Sequence, residues 1–162
     1  MNRTKALSCL ACLLLLALGS CNSSTPSMKV EKDTRMTPDK MVSIIKSMTQ
    51  HVSAKGNVVE FKYSDVPMTL IYDVRADRMR IIMPITESDN ISKEVLMQAM
   101  EANFHSAVDA RYGVSNGFLW AAFIHPLSDL SEALLRSAIE QVAKAGKTFG
   151  TTFSSGDLIF SY

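Results

Sequence analysis

The sequence predicts an α+β domain, a single antiparallel five-stranded sheet with helices packed on it, in the order α-β-β-β-α-β-β-α. Three observations predict it. Segments between residues 58 and 85 alternate apolar and polar residues with period two, the pattern of half-buried strands. Three other segments repeat apolar residues at helical spacing behind a capping residue. Ser115-Asn116-Gly117 separates two further runs and supplies the positive φ that a hairpin turn needs. One sheet with an inward face and helices set against it fits this order.

The first helix is expected at Thr37, which caps it, with Pro38 in the first turn. Met41, Ile44, Ile45, Met48 and Val52 share its inner face, and Gly56 closes the segment. In "NVVEFKYSD", Val59, Phe61 and Tyr63 alternate with Glu60 and Lys62. "MTLIYDV" sets Met68, Leu70, Tyr72 and Val74 on one face. After a turn at Arg75-Ala76-Asp77, "RMRIIMPI" does the same with Met79, Ile81, Met83 and Ile85. A meander of three strands follows from these runs.

Ser92 caps the second helix, with Ile91 and Leu96 as a staple and Leu96, Met100, Phe104 and Ala107 on its inner face. "DARYGV" and "FLWAAFI" then form a hairpin. The third helix starts at Ser131 with Leu130 and Leu135 as its staple. It buries Leu134, Leu135, Ala138, Ile139 and Val142, and Gly146 ends it. In the tail "KTFGTTFSSGDLIFSY" the pattern allows part of a further strand.

The N-terminus is of a different kind. Arg3 and Lys5 precede an apolar run from Ala6 to Ala17, shorter than the roughly 20 residues of a membrane span. A basic head, a short apolar body and small residues before a break make a secretory signal. Leu18-Gly19-Ser20-Cys21 at the break resembles the lipobox of bacterial lipoproteins. The resemblance implies cleavage before Cys21, a diacylglycerol thioether on its sulfur, and an N-terminal acyl chain of the palmitate type. Asn22, where an aspartate would resemble an inner-membrane retention signal, implies the periplasmic face of the outer membrane. The expected divisions are a signal peptide at 1–20, lipidated Cys21 with a flexible polar tether over 21–36, and the α+β domain over 37–162.

This reading disposes of the cysteines. Cys9 and Cys12 leave with the signal and Cys21 carries lipid, so the domain has neither thiol nor disulfide. Removal of residues 1–20 takes Arg3 and Lys5 and no acid, moving the formal charge from +1 to −1. A near-neutral domain lacks the concentrated basic face that nucleic acid requires.

The stretch "GFLWAAFIHPLSDLSEALLRSAIEQV" takes an apolar strand through a proline break into a capped amphipathic helix. With the element order, it resembles the YbjN-like and type III secretion chaperone-like domains. That resemblance covers about 37–148 and implies a shared fold. Members related to the secretion chaperones commonly dimerise and hold extended segments of partner proteins. Those chaperones are cytoplasmic and acidic, whereas this chain carries an export signal and is near neutral.

No catalytic constellation is present in the sequence. His51 is expected at the end of the first helix, where its charge suits the dipole, and His105 at a helix boundary. His125 has two readings: a ligand or base at a strand end, or a residue shaped by Pro126, which ends the ladder and holds its predecessor extended. The second is the expected one. No metal set or cofactor motif is found.

The sheet's second face is more informative. It starts polar, with Glu60 and Lys62, and continues through Ile71, Ile82, Leu119, Ala121 and Phe123, taken as opposite Phe118, Trp120, Ala122 and Ile124. A strand apolar on both sides needs cover on both. That cover is a helix of the chain, a second copy, or a bound peptide. Ile71, Ile82, Leu119 and Phe123 are thus the candidate partner-binding residues. The expected function is a non-enzymatic, lipid-anchored protein-binding or chaperone-like domain. A small envelope enzyme with a site near His125, or a structural lipoprotein without specific ligand, are the alternatives.

Overall fold

In the computed structural model, which describes residues 35–157, Thr37 opens α1 (Pro38–Met48) by accepting a hydrogen bond from Lys40 N at 3.2 Å. The helix ends earlier than its apolar spacing predicts, because Thr49 turns to an extended conformation at φ −150°. Val52, expected on the helix, instead begins a short strand, β1 (Val52–Lys55). Gly56 folds β1 back onto β2 (Val58–Tyr63), so the sheet has six strands rather than five. The others are β3 (Val66–Asp73), β4 (Arg78–Glu87), β5 (Arg111–Ser115) and β6 (Phe118–His125). Helix α2 (Lys93–His105) lies between β4 and β5, and α3 (Glu132–Thr148) follows β6.

The strand order is β1-β2-β3-β4-β6-β5, antiparallel throughout. Two hairpins use two-residue turns with both central residues left-handed: Ser64 and Asp65 at φ 49° and 66°, Asn116 and Gly117 at 51° and 75°. Such turns match the strand twist, and small polar residues or glycine adopt them most readily.

Helices α1 and α3 cover one face of the sheet. Met41, Ile45, Leu135, Ile139 and Val142 meet Val59, Leu70, Met79, Ile81 and Leu119 there, all fully buried. Each contributes roughly 1.5–3 kcal/mol by leaving water. Met36 also joins this core, so the packed domain takes in the last residue assigned to the tether. The segment expected to be a signal, Cys21 and the expected tether up to residue 34 lie outside the described residues.

Gly146 does not end α3. The helix passes through it, and a Cβ there would sit 2.4 Å from Sδ and Cε of Met83, so glycine is what lets helix and strand approach. The chain then turns back at Gly150, with φ 76°. Phe153 and Ser155 tuck against the α2–β5 connection, where Ser155 Oγ accepts from Val108 N at 2.6 Å. No strand forms among the described tail residues, 149–157, and 158–162 lie outside them.

Helix α2 packs differently from the expectation. Ala99 and Ala102 are its buried residues, while Met100 and Phe104, expected inside, are exposed. The reason lies at the sheet edge. Asn103 donates from Nδ2 to Tyr112 O at 3.0 Å and accepts from Tyr112 N at 2.7 Å, so its amide stands in for a neighbouring strand on β5. Ala102 beside it and Ala99 one turn earlier are small and buried, and let the helix come that close. Unpaired edge groups invite aggregation, and this contact closes one such pair.

Candidate functional site

Pairing across the strands divides the two faces. Glu60, Thr69, Ile82, Ala122 and Arg111 are successive partners, as are Val58, Ile71, Arg80 and Ile124. Directly paired residues share a face. Ile71 and Ile82 therefore lie on the face opposite α1 and α3, left open among the described residues, as expected, but Leu119 and Phe123 do not. Leu119 is 0% and Phe123 3% exposed, under α3, while Trp120 and Ile124 stand on the open face. The expectation set Trp120 and Ile124 on the core side and Leu119 and Phe123 opposite them; the structure inverts the strand's two faces. The Trp120 indole is tethered by Nε1, which donates to Ser115 O at 3.0 Å.

The open face is split. β3 and β4 pair from Asp73–Arg78 only as far as Thr69–Ile82, whereas β2 and β3 continue to Tyr63–Val66 and β4 and β6 to Glu87–Phe118. Extending the β3–β4 register by two residues sets Pro67 opposite Pro84. Neither has an N–H, so the next rung cannot form. The sheet is thus two three-stranded ribbons joined along five residue pairs and parted beyond them.

The parting opens a groove of about 620 Å³, within the range of small-ligand and side-chain sites. Pro67, Pro84 and Trp120 line it, with Phe61 and Met68 from the core among the lining residues. Glu60, Lys62, Ser53 and His51 supply its polar groups. His51 reaches this place because α1 stops short; it lies between α1 and β1, not on the helix. Glu60 and Lys62 have no salt bridge among the described residues.

His125 occupies the end of β6. Its Nδ1 lies 2.8 Å from Pro126 O, and its ring stacks on Phe123 with centroids 6.0 Å apart. The small hollow beside it holds one other titratable group, Asp109, whose carboxylate lies 3.4 Å from Gln141 Nε2. Among the described residues that line it there is no serine, threonine or cysteine. His105 ends α2 and meets the Phe104 ring edge-on at 5.0 Å. Among the described residues no three metal-ligating side chains cluster.

Displaced pKa values mark structural contacts. Ser128 donates its hydroxyl and N–H to Asp77, each at 2.8 Å, and holds that carboxyl below its ordinary value. This ties the β3–β4 turn to the loop before α3. Burial, then the charge of Glu140, pushes Tyr63 up; burial pushes Tyr112 up, while its hydroxyl donates to Ala145 O at 2.8 Å.

Sequence reasoning missed the groove's makers, Pro67 and Pro84. The available signal was a proline inside each of two neighbouring strand patterns, which marks an interrupted ladder.

No protein-family model matches the chain, and no curated protein matches it. Solved structures do. The HopA1–SchA chaperone–effector complex holds a chain 15% identical, with a TM-score of 0.54 over 67% of this chain and 88% of that one. The Yersinia pestis type III secretion chaperone SycH, in complex with a stable fragment of YscM2, gives 11% identity and 0.52 over 68% and 99%. A chain of the ExsC–ExsE complex gives 10% and 0.55 over 74% and 95%. The chain has a type III secretion chaperone-like fold.

Proposed function

We propose that this is a non-enzymatic, chaperone-like domain that takes a segment of a partner protein on the open face of its sheet. One observation carries the reading: a face over which no helix of the described residues lies, bearing Ile71, Ile82, Trp120 and Ile124, opens into a groove between Pro67 and Pro84. Ile124, paired with Arg80 one rung from the end of the β4–β6 ladder, is 57% exposed, a large apolar residue left in water. Exposed apolar surface beside a groove of this kind marks interaction sites. The fold neighbours solved with protein partners support the same reading. In this proposal Cys21 carries lipid and holds the domain at the periplasmic face of the outer membrane, a placement supported by the Leu18-Gly19-Ser20-Cys21 pattern.

The test is Ile82→Asp in the full chain. Ile82 is only half-buried and faces the open side, so the variant should keep its fold by circular dichroism and lose the partner that co-purifies with wild type. A folded variant that retains that partner would refute the reading.

A second copy of the chain is favoured by a separate surface. Met97, Met100 and Phe104 stand exposed along α2, and Val114 is exposed on β5, against which α2 packs. Phe104 is 66% exposed. Light scattering should then report a dimer that Phe104→Asp converts to a folded monomer. A wild-type monomer at all concentrations would remove this association.

A further inference from the structure

We infer that the gap between Pro67 and Pro84 is an arginine site, taking the guanidinium of an arginine side chain on the bound partner. The inference rests on the protein-binding reading of the open face and names what its groove selects.

Tyr72 of β3 donates its N–H to Asn57 O at 3.0 Å, and its carbonyl accepts from Asn57 Nδ2, so Tyr72 turns its polar groups away from β4. Alternation turns the odd-numbered residues of β3, Thr69 and Pro67 among them, toward β4. Their partners, Ile82 and by extension Pro84, turn toward β3. The carbonyls of Pro67 and Pro84 thus enter the gap from both walls. The residue opposite each is a proline, which has no hydrogen to donate. A ligand that fills this gap has to bring donors.

The rest of the lining narrows the donor. Glu60 supplies a carboxylate that no cation of the described residues pairs with, and Trp120 supplies an indole whose position its bond to Ser115 fixes. A guanidinium carries five N–H donors in one plane and binds carboxylates charge-assisted. It also stacks on aromatic faces. Its apolar stem suits the two proline rings. Lys62, paired with Pro67, is the opposing charge in the lining. It should weaken the site without changing what the site recognises.

Trp120 is the chain's sole tryptophan, so its emission reports on the groove alone. The experiment titrates the full chain, held in neutral phosphatidylcholine nanodiscs, with acetyl-Leu-Arg-Leu-amide. Parallel titrations use the counterparts with citrulline or leucine at the centre. The expected result is a saturable change with the arginine peptide, at least about fivefold tighter than with citrulline, its uncharged analogue. Glu60→Gln should erase that preference and Lys62→Gln should enlarge it. Equal responses to all three peptides, an arginine preference that survives Glu60→Gln, or no saturable response would each overturn the arginine site. Failure here with the partner still lost in Ile82→Asp leaves the protein-binding reading standing. Failure of both sinks both.

Discussion

Pro67 of β3 and Pro84 of β4 stand in register across the point where their strands stop pairing, two residues past the Thr69–Ile82 rung. Two residues that cannot donate hold open a sheet that would otherwise close, and the opening is the groove beside Trp120. The structural feature and the proposed function therefore share one cause, which can be removed.

Replacing both prolines, as Pro67→Thr with Pro84→Thr, restores an N–H opposite each carbonyl. Each new hydrogen bond is worth about 0.5–1.5 kcal/mol net. Losing each proline costs about 0.4–1 kcal/mol through the unfolded chain. Stability should therefore change little, and amide exchange is the decisive readout. The amides at 67 and 84 should become protected and Trp120 emission should shift. Fast exchange at both positions would mean that something other than the prolines holds the ribbons apart.

Phe123 and Trp120 should respond in opposite ways. Phe123→Asp buries an unpaired charge under α3, and with the lost ring this should cost upwards of about 3 kcal/mol, enough to unfold a marginal domain. Trp120→Ala removes a half-exposed ring from the open face and should leave a folded domain that no longer holds its partner. Thermal melting of both variants checks this. A stable Phe123→Asp protein would contradict the placement of that residue in the core.

What the sequence disclosed and what it hid follow from range. Caps at Thr37, Ser92 and Ser131 and the Asn116-Gly117 turn are local chemistry, and each stands where its residues predict. β1 was hidden because three of its four residues are exposed, leaving no alternation to read, while Val52 continued the helical spacing before it. The Pro67–Pro84 opposition needs a register, which no single segment carries. Ile71 and Ile82 were legible as open-face residues, but in β6 both alternating sets are apolar, so alternation alone does not say which of Leu119 and Phe123 or Trp120 and Ile124 faces the helices. The hydrogen bond that holds the Trp120 indole on the open face runs to another strand and is not written in the pattern of β6.

Asp77 gives a pH dependence with a definite sign. Ser128 depresses its folded pKa below the ordinary value of 3.8, so the contact stabilises above that value and is lost as pH falls through the folded pKa. The stability gap between wild type and Asp77→Asn should be full at neutral pH and close below about pH 4. Melting curves from pH 7 to pH 3 measure it. A constant gap over that range would show that the carboxylate's charge plays no part.

Cys21→Ser should abolish incorporation of a tagged fatty acid and release the chain from the membrane fraction. An unlabelled native chain found free in the periplasm would remove lipid anchoring from the proposal and leave the binding face untouched.

The central claim, that the open sheet face receives a protein, is tested most directly by photo-crosslinking in intact cells. Benzoylphenylalanine placed at Ile82 reports on the open face, and at Lys147, exposed on α3, it reports on the helical side. A discrete protein adduct from position 82, absent from 147 and lost when Pro67 and Pro84 are both replaced by threonine, is the predicted result. Adducts from 147 alone, or no protein adduct from 82, would contradict it.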